Sequence, residues 1–274
     1  LRNVRLWDWR PLLQAMRQLQ EIRLYYRFYD IDVDRYRLDD GLRQVMVSVR
    51  ELAERLPDKA DTWLNRHLQF THGYGVAMSL AAHESDQGGP TLISRDLPPV
   101  TASERLAVKE PAIYFGERTT DYRIVATKIK ELSYPQGDAN VYSSYEGRGG
   151  ILLDSYWRRL LFAWNQFDVN ILLSSYITPE SRILIWRSVR ERVSKVAPFL
   201  VLDRDPYIVA SGGRLYWVQD AYTTARTYPY SEHFRGQFNY IRNPVKAVVD
   251  AYDGSVDLYV VDDKDPVLQA YGRA

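Results

Sequence analysis

The chain contains no cysteine and no marked excess of either charge. Without cysteine it can form no disulfide, no thiolate nucleophile and no cysteine-based zinc site. Its 36 basic and 35 acidic residues give a formal net charge of +1, so no overall field is available to hold the phosphates of a nucleic acid or an anionic bilayer. We therefore expect no nucleic-acid partner.

Uncharged apolar stretches of bilayer length are also missing from the sequence. The nearest candidate, residues 151–173, is interrupted by six residues that are costly at bilayer depth: Asp154, Arg158, Arg159, Asn165, Asp168 and Asn170. We expect this segment to form a helix in the protein core. The chain begins with Leu1, and no basic-then-apolar signal segment precedes Trp7, which is typical of a segment excised or processed from a longer protein.

The composition is otherwise that of a globular domain. With 274 residues, of which 46% are hydrophobic and 13% aromatic, the chain can bury roughly three quarters of the surface of its unfolded form. That is enough for one compact unit or two closely packed lobes.

Local patterns in the first half of the chain predict an amphipathic helix and then a hairpin. Asp8 can cap a helix with Pro11 in its first turn, and apolar residues then recur every three or four positions. Residues 25–38 and 42–49 predict a hairpin that turns at Asp40–Gly41. The segments that follow predict, in order, a helix over 58–70, a strand over 76–82 and an irregular stretch over 83–112 around a short strand at 91–97.

The second half predicts two helices followed by two hairpins. The helices cover 151–173 and a segment that begins at Thr178–Pro179, and the hairpins turn at Gly212–Gly213 and Asp253–Gly254. Residues 134–150 are rich in turn residues, so we place a boundary there between an N-terminal α+β lobe (1–145) and a C-terminal lobe (146–274) with a helix pair and hairpins. Because helices and hairpins segregate along the chain, we predict an α+β fold in which antiparallel hairpins pack against amphipathic helices.

Two histidines are candidate metal ligands. His67 and His72 lie five residues apart, which on a continuous helix turns them about 140° from each other, whereas zinc pairs use a separation of four. If the helix ends near Phe70, His72 can swing back and bind zinc with His67 and with His83 or an acid as third ligand. The alternative is that both histidines satisfy buried backbone groups.

Three aspartates at alternate positions are a second candidate metal site. Asp30, Asp32 and Asp34 resemble the start of a calcium loop, but the glycine and the closing glutamate of such a loop are missing. The alternation predicts instead a strand whose acidic face lies in solvent and pairs with Arg35 and Arg37. We predict no cofactor; a weakly bound calcium or zinc ion is the alternative.

An aromatic segment, residues 220–240, is the main candidate binding surface. Its aromatic side chains alternate with hydroxyl and charged residues in a predicted loop, where binding residues concentrate. The candidate binding residues in and beside it are Trp217, Tyr222, Tyr228, Tyr230, His233, Arg235 and Tyr240.

No catalytic residue is predicted. The segments DRDP (203–206) and DDKDP (262–266) bring carboxylates together, as glycoside hydrolysis requires, but aspartates also favour such turns for local reasons. The serines show neither a G-x-S-x-G nor an S-x-x-K pattern.

Seven segments spread over the chain carry a resemblance to a known family. They are NVRLWDWRPLLQAMRQLQEIRLYYRF (3–28), TWLNRHLQFTHGYGVAMS (62–79), NVYSSYEGRGG (140–150), DVNILLSSYITPESRIL (168–184), DRDPYIV (203–209), GRLYWVQDAYTT (213–224) and NYIRNPVKAVVDAYDGSVDLYVVD (239–262). Together they resemble uncharacterised protein family 0182, whose members look like bacterial multi-spanning membrane proteins with apolar helices first and a large soluble region after them. This chain is similar to the first part of that region.

The resemblance implies a place for the chain but no activity. We expect a soluble domain on the extracytoplasmic side of a membrane protein, with the membrane helices of the parent protein as partners. Its function would be to bind an envelope glycan, another envelope ligand or an envelope protein, and it would be no enzyme. The alternative is an envelope hydrolase or metal-dependent enzyme that uses His67, His72 and nearby carboxylates.

Overall fold

Antiparallel strands and short helices form the regular structure of the chain. A computed structural model describes residues 3–84, 88–137 and 139–272, with His83 and Glu84 described by their backbone alone. Every pair of named strands within these ranges is antiparallel. The predicted α+β class is confirmed.

The helices are α1 (Trp9–Gln20), α2 (Tyr156–Asn165), α3 (Asn170–Leu173), α4 (Val189–Val196) and α5 (Pro266–Tyr271), with a π-helical turn at Asn65–Gln69 and 3₁₀ turns at Asp58–Ala60 and Glu104–Leu106. The strands are β1 (Tyr26–Arg27), β2 (Asp32–Leu38), β3 (Gly41–Val49), β4 (Glu51–Leu52), β5 (Gly73–Tyr74), β6 (Val76–Glu84), β7 (Pro90–Arg95), β8 (Val100–Thr101), β9 (Ala112–Ile113), β10 (Arg123–Val125), β11 (Glu131–Gln136), β12 (Ala139–Ser143), β13 (Ile151–Leu152), β14 (Arg182–Leu184), β15 (Val201–Leu202), β16 (Tyr207–Ser211), β17 (Arg214–Ala225), β18 (Tyr240–Asp250) and β19 (Val256–Val260).

The first half of the chain builds a five-stranded sheet in the order β2-β3-β6-β7-β8. Asp8 caps α1 as predicted, accepting a hydrogen bond from the Arg10 amide at 2.9 Å. In the β2–β3 hairpin Leu38 pairs with Gly41, so the turn falls one residue earlier than predicted. The predicted strands over 76–82 and 91–97 correspond to β6 and β7.

The acidic face of β2 does not lie in solvent, which corrects the sequence prediction. Asp32 accepts a hydrogen bond from the Ile208 amide at 2.9 Å, and the Tyr36 hydroxyl accepts one from the Ala210 amide at 3.0 Å. These amides belong to the free edge of β16, which pairs only with β17. The polar face of β2 therefore turns inward because it satisfies backbone donors of the second sheet, and Val33 is exposed instead.

The second half of the chain builds another five-stranded sheet. In this sheet β15 and β16 both pair with one edge of β17. The other edge of β17 pairs with β18, which in turn pairs with β19. Both predicted hairpins are present. The first turns at Gly212–Gly213, where both glycines have positive φ, and the second joins β18 to β19 around Gly254.

One core cluster lies between the two sheets. It combines Val47 and Met78 from the first sheet with Trp217 and Val249 from the second and Val193 from α4. Its members come from both sides of the predicted boundary at 145/146, and the division into two lobes stays a prediction.

Three segments differ from the sequence prediction. Residues 134–150 are not all turns, because β11 and β12 form a hairpin there. The helix predicted from Thr178 is wrong at its start: β14 pairs between β10 and β13, and α4 begins only at Val189. The helix predicted over 58–70 is reduced to short 3₁₀ and π-helical turns with a few helical residues between them.

The segment 151–173 is not a core helix. It forms two helices, α2 and α3, that lie on the surface and are separated near Phe167, whose φ is +53°. Among the described residues, no helix has the length and apolar character needed to span a bilayer.

Candidate functional site

A cleft of about 800 Å³ runs along β2 and contains all three predicted aspartates. Asp30, Asp32 and Asp34 line it together with Asp205 and the ring of Tyr207. Asp205 belongs to the DRDP segment, so the fold brings one of those carboxylates to the β2 aspartates. We refer to this feature as the acidic cleft.

Burial and mutual repulsion favour the neutral form of carboxyl groups in and behind the acidic cleft. Burial raises the pKa of Asp32 to about 8, and the charges of Asp30 and Asp205 add to the effect. Burial also raises the pKa of Asp205 and, together with the charge of Glu51, brings the pKa of Glu117 to about 7. At these pKa values Asp32 and Glu117 can hold protons near neutral pH, which general acids must do.

The predicted zinc site does not form between His67 and His72. His67 is 8% exposed, and its Nδ1 donates to the Tyr122 carbonyl at 3.0 Å while its ring stacks on that of Tyr122. His72 is 1% exposed and contacts Thr71 and Glu131 instead. His67 thus satisfies a backbone group, as the alternative interpretation states. The side chain of His83, the suggested third ligand, lies outside the described residues.

Within the part of the chain that the structure describes, no group of three or more histidine, aspartate or glutamate side chains is placed to hold a metal ion. This applies to His67 and His72 and equally to Asp30, Asp32 and Asp34. The structure therefore lends no support to a bound zinc or calcium ion.

A buried network around Glu131 was not predicted from the sequence. Glu131 lies on β11 and is 1% exposed. Its Oε2 accepts hydrogen bonds from the Thr71 hydroxyl at 2.5 Å and the Tyr114 hydroxyl at 2.8 Å, and lies 3.6 Å from His72 Nδ1. Its Oε1 accepts from the Tyr145 amide at 3.0 Å.

This network determines the charge of Glu131. Burial alone would raise its pKa, but the hydrogen bond and charge of His72, with the hydroxyls of Thr71 and Tyr114, bring the pKa below its ordinary value. Glu131 is therefore an ionised carboxylate inside the protein. In contrast, His72 Nε2 is buried without a hydrogen-bond partner among the described residues.

The predicted binding segment 220–240 is only in part a loop. β17 extends to Ala225 and β18 begins at Tyr240, so the loop covers 226–239. Trp217 is 3% exposed and donates to the Phe115 carbonyl at 2.9 Å, which makes its ring inaccessible to a ligand in this structure. Tyr222 is partly buried, with its hydroxyl on Asp203.

The remaining predicted binding residues lie at the surface or close to it. Tyr228 stacks on Tyr240 at 5.0 Å, and the side chain of Tyr230 is fully exposed. His233 Nε2 donates to the Arg226 carbonyl at 2.8 Å, and Arg235 lies over the ring of its neighbour Phe234. Their role in binding stays a prediction.

A group of six exposed apolar side chains lies elsewhere, on α2, on α3 and on the residues between them. We call it the α2–α3 surface; its residues, with their exposed fractions, are Trp157 (70%), Leu161 (66%), Trp164 (79%), Phe167 (91%), Val169 (58%) and Leu173 (72%). Trp157, Leu161 and Trp164 follow the spacing i, i+4, i+7 and so form one outward stripe. The opposite side of the helix pair is held in the protein through the buried residues Ala163 and Ile171.

A hydrogen-bonded aspartate fixes the α2–α3 surface to the rest of the chain. Asp168 Oδ2 accepts from Trp63 Nε1 at 2.7 Å and from the Tyr122 hydroxyl at 2.6 Å, and its Oδ1 accepts from the Asn170 amide that starts α3. Phe167, just before this anchor, has a positive φ and projects outward. The contacts of Asp168 therefore hold the α2–α3 surface in place while its aromatic rings project into solvent.

Comparison with known proteins assigns the chain to a family. The model of an Uncharacterised protein family (UPF0182) matches residues 1–274. The chain belongs to this family. UPF0182 carries no assigned activity in its description, so membership leaves the chemistry of the acidic cleft and the Glu131 network open.

Relatives with the UPF0182 name occur in distant bacteria. A UPF0182 protein of Salinibacter ruber is 52% identical over 99% of this chain, and one of Pelotomaculum thermopropionicum is 52% identical, again over 99%. A UPF0182 protein of Synechococcus sp. (strain JA-3-3Ab) is 51% identical over the full chain. The chain spans 29%, 30% and 33% of these three relatives. No solved structure matches it.

Proposed function

We propose that this UPF0182 chain is a soluble, extracytoplasmic domain of a multi-spanning bacterial membrane protein, and that its α2–α3 surface rests in the interface of the bilayer. The observation that carries the proposal is the exposure of six large apolar side chains on one anchored helix pair. Monomeric soluble proteins rarely expose contiguous apolar patches larger than a few hundred Å². A surface of this kind therefore favours a role in contact with an apolar medium.

The side chains at this surface match the bilayer interface in their chemistry. Tryptophan and tyrosine concentrate at the level of lipid headgroups because each has an apolar ring and a polar edge. Trp157 and Trp164 project from α2, and Tyr156 at its start is 61% exposed. Protruding rings such as Phe167 can enter a fluid interface directly, whereas a protein partner would need a matching groove.

Charge contributes little to the proposed contact. Arg158, the basic residue beside Trp157, is ion-paired with Asp154 at 3.1 Å. With no excess of basic residues, attraction to anionic lipid adds little, and burial of apolar area is the main driving force. The contact should therefore form on neutral lipid.

The length of the relatives supports a membrane-bound parent. Since the chain spans only about 30% of them, most of such a protein lies outside this domain. In the proposal that remainder supplies the membrane helices, which are the partners of this domain and hold the α2–α3 surface close to the lipid.

Vesicle co-sedimentation tests the proposal. The purified chain should sediment with neutral phosphatidylcholine vesicles, and a Trp164→Ser/Phe167→Ser variant should lose at least about tenfold in apparent affinity. A Tyr230→Ser/Phe234→Ser variant removes two exposed rings from the 226–239 loop and should bind like the wild type. Sedimentation only with anionic vesicles, or equal loss in both variants, would contradict the proposal.

A further inference from the structure

A second pocket, of about 360 Å³, lies between the β5–β9 pair and the β11–β12 hairpin. Four tyrosines line it: Tyr74, Tyr114, Tyr134 and Tyr252. It is far smaller than the acidic cleft and shares no lining residue with it. We call it the tyrosine pocket.

Strand alternation explains why aromatic rings gather there. Side chains two residues apart in an extended segment share a face. His72, just before β5, therefore lies on the same side as Tyr74, across from Ala112 of β9 and Tyr114 just after it. The ring centroids of His72 and Tyr114 are 4.5 Å apart. Tyr134 of β11 closes over Tyr74 at 4.9 Å.

Polar groups complete the lining. Glu110 and Lys109 contribute a carboxyl and an ammonium group on one side, and Ser143 and Ser144 contribute hydroxyls on the other. Burial raises the pKa of Glu110, and its carboxyl group adds hydrogen-bonding capacity to the lining. Flat aromatic faces surrounded by mixed donors and acceptors suit a ligand with an apolar ring face and many hydroxyl groups.

An unsatisfied buried atom lies next to these rings. His72 Nε2 is buried without a partner among the described residues, although His72 Nδ1 is bonded to the Thr71 hydroxyl at 2.9 Å. Buried polar atoms nearly always have a partner, and an exception calls for a ligand or an ordered water. Its ring packs against Tyr114, one of the lining residues, although His72 itself does not line the pocket.

We propose that the tyrosine pocket binds one hexopyranose unit of a neutral saccharide. An anion is disfavoured because the lining holds the carboxyl groups of Glu110 and Glu146 against the single ammonium of Lys109. A fully apolar ligand would cover the polar side chains of Lys109, Glu110, Ser143 and Ser144 without offering them hydrogen bonds. A pyranose ring can stack on tyrosine and use these groups at the same time, and its volume fits the pocket. The inference does not depend on the α2–α3 surface.

Saturation-transfer NMR and calorimetry on the purified chain test this inference. The probes are glucose and N-acetylglucosamine, with sorbitol as an acyclic polyol and choline as an aromatic-cage ligand. The two sugars should bind at millimolar concentrations, and sorbitol and choline should not. Absence of sugar binding, binding of choline alone, or equal binding of sorbitol would overturn the assignment.

Two variants locate the binding. Tyr134→Ala removes a stacking face and should weaken sugar binding about fivefold to tenfold. Tyr142→Ala is the matched control, since Tyr142 lies on the same hairpin between the pocket residues Val141 and Ser143 and points to the other side. If Tyr134→Ala does not fold, Glu110→Ala, which removes the carboxyl group from the lining, should give a loss of similar size. Unchanged binding in the folded pocket variant, or equal loss in Tyr142→Ala, would show that the sugar binds elsewhere.

Discussion

The Nη2 atom of Arg187 donates a hydrogen bond to the main-chain oxygen of Thr71 over 2.6 Å. Arg187 is fully buried, and its other nitrogens donate to the carbonyls of Tyr114 and Asp121 at 2.7 and 3.2 Å. A single guanidinium therefore joins three chain segments through their backbones. Two of these segments carry Thr71 and Tyr114, the donors that hold the Glu131 carboxylate.

Replacing Arg187 should therefore weaken the whole fold. An Arg187→Met variant removes this donor from two buried hydrogen bonds and one partly buried one, and we expect a loss of at least about 3 kcal/mol in the free energy of unfolding. Urea titration measures this, with the exposed residue Arg190 as control, since Arg190→Met should change the free energy by less than about 0.5 kcal/mol. A loss below about 1 kcal/mol for Arg187→Met would show that these hydrogen bonds contribute little.

His67 should make the fold sensitive to mild acid. Burial lowers its pKa to about 4, whereas in the unfolded chain the pKa is about 6.5. Between pH 6.5 and pH 4 the unfolded state therefore binds a proton at this histidine more readily than the folded state does. The contribution of neutral His67 to stability is present above pH 6.5 and is lost as pH falls towards 4.

The His67→Gln variant isolates this effect because glutamine can still donate to the Tyr122 carbonyl but does not titrate. Between pH 7 and pH 4.5, we expect the wild type to lose about 2 kcal/mol more unfolding free energy than the variant. Chemical denaturation across this range provides the measurement. Parallel pH curves for the two proteins would mean that His67 is not held neutral by burial.

Three of the hairpins could be predicted from the sequence, whereas the residues around Glu131 could not. The turn at Gly212–Gly213 depends on glycines and strand alternation that lie side by side in the chain, so the local pattern is sufficient. Glu131 shows no such pattern, because its partners Thr71 and Tyr114 are 60 and 17 residues away. A lone carboxylate at the start of a strand resembles any solvent-facing residue.

The orientation of α2 was unpredictable for a related reason. Trp157, Leu161 and Trp164 repeat with the same spacing as a buried stripe, so their pattern does not distinguish a surface helix from the core helix that we predict for 151–173. Which face is buried is decided by distant contacts, above all those of Asp168 with Trp63 and Tyr122. The inward turn of Asp32 likewise depends on the Ile208 amide, 176 residues along the chain.

Asp32 should make the fold less stable as pH rises, which is the opposite of the effect of His67. Burial raises its pKa to about 8, so the folded state binds the proton more tightly than the unfolded chain, with its pKa of about 3.9. The contribution of neutral Asp32 to stability is then fully present below about pH 4 and is lost as pH rises from about 4 through 8.

An Asp32→Asn variant should remove this loss, since asparagine keeps an oxygen for the Ile208 amide but carries no charge. At pH 9 we expect the variant to be more stable than the wild type by at least about 1 kcal/mol. Asp34→Asn, on the same face of β2, serves as control and should leave the pH dependence unchanged. A variant less stable than the wild type at pH 9 would contradict the burial of a neutral Asp32.

A charge introduced on the α2–α3 surface should abolish membrane contact and leave folding intact. Leu161→Glu replaces an exposed side chain, so we expect a change of less than about 0.5 kcal/mol in unfolding free energy together with loss of vesicle binding. Ala163→Glu, on the buried side of the same helix, should unfold the chain. Denaturation and vesicle sedimentation of both variants check this, and unimpaired vesicle binding by Leu161→Glu would count against contact through this surface.

Quenching of tryptophan fluorescence by brominated lipids measures the proposed contact most directly, because bromine quenches only rings that lie among the lipids. With neutral vesicles brominated near the headgroups, we expect strong quenching of the wild type and little quenching of a Trp157→Phe/Trp164→Phe variant that still binds. Equal quenching of both proteins, or none in the bound wild type, would show that the α2–α3 surface does not enter the bilayer.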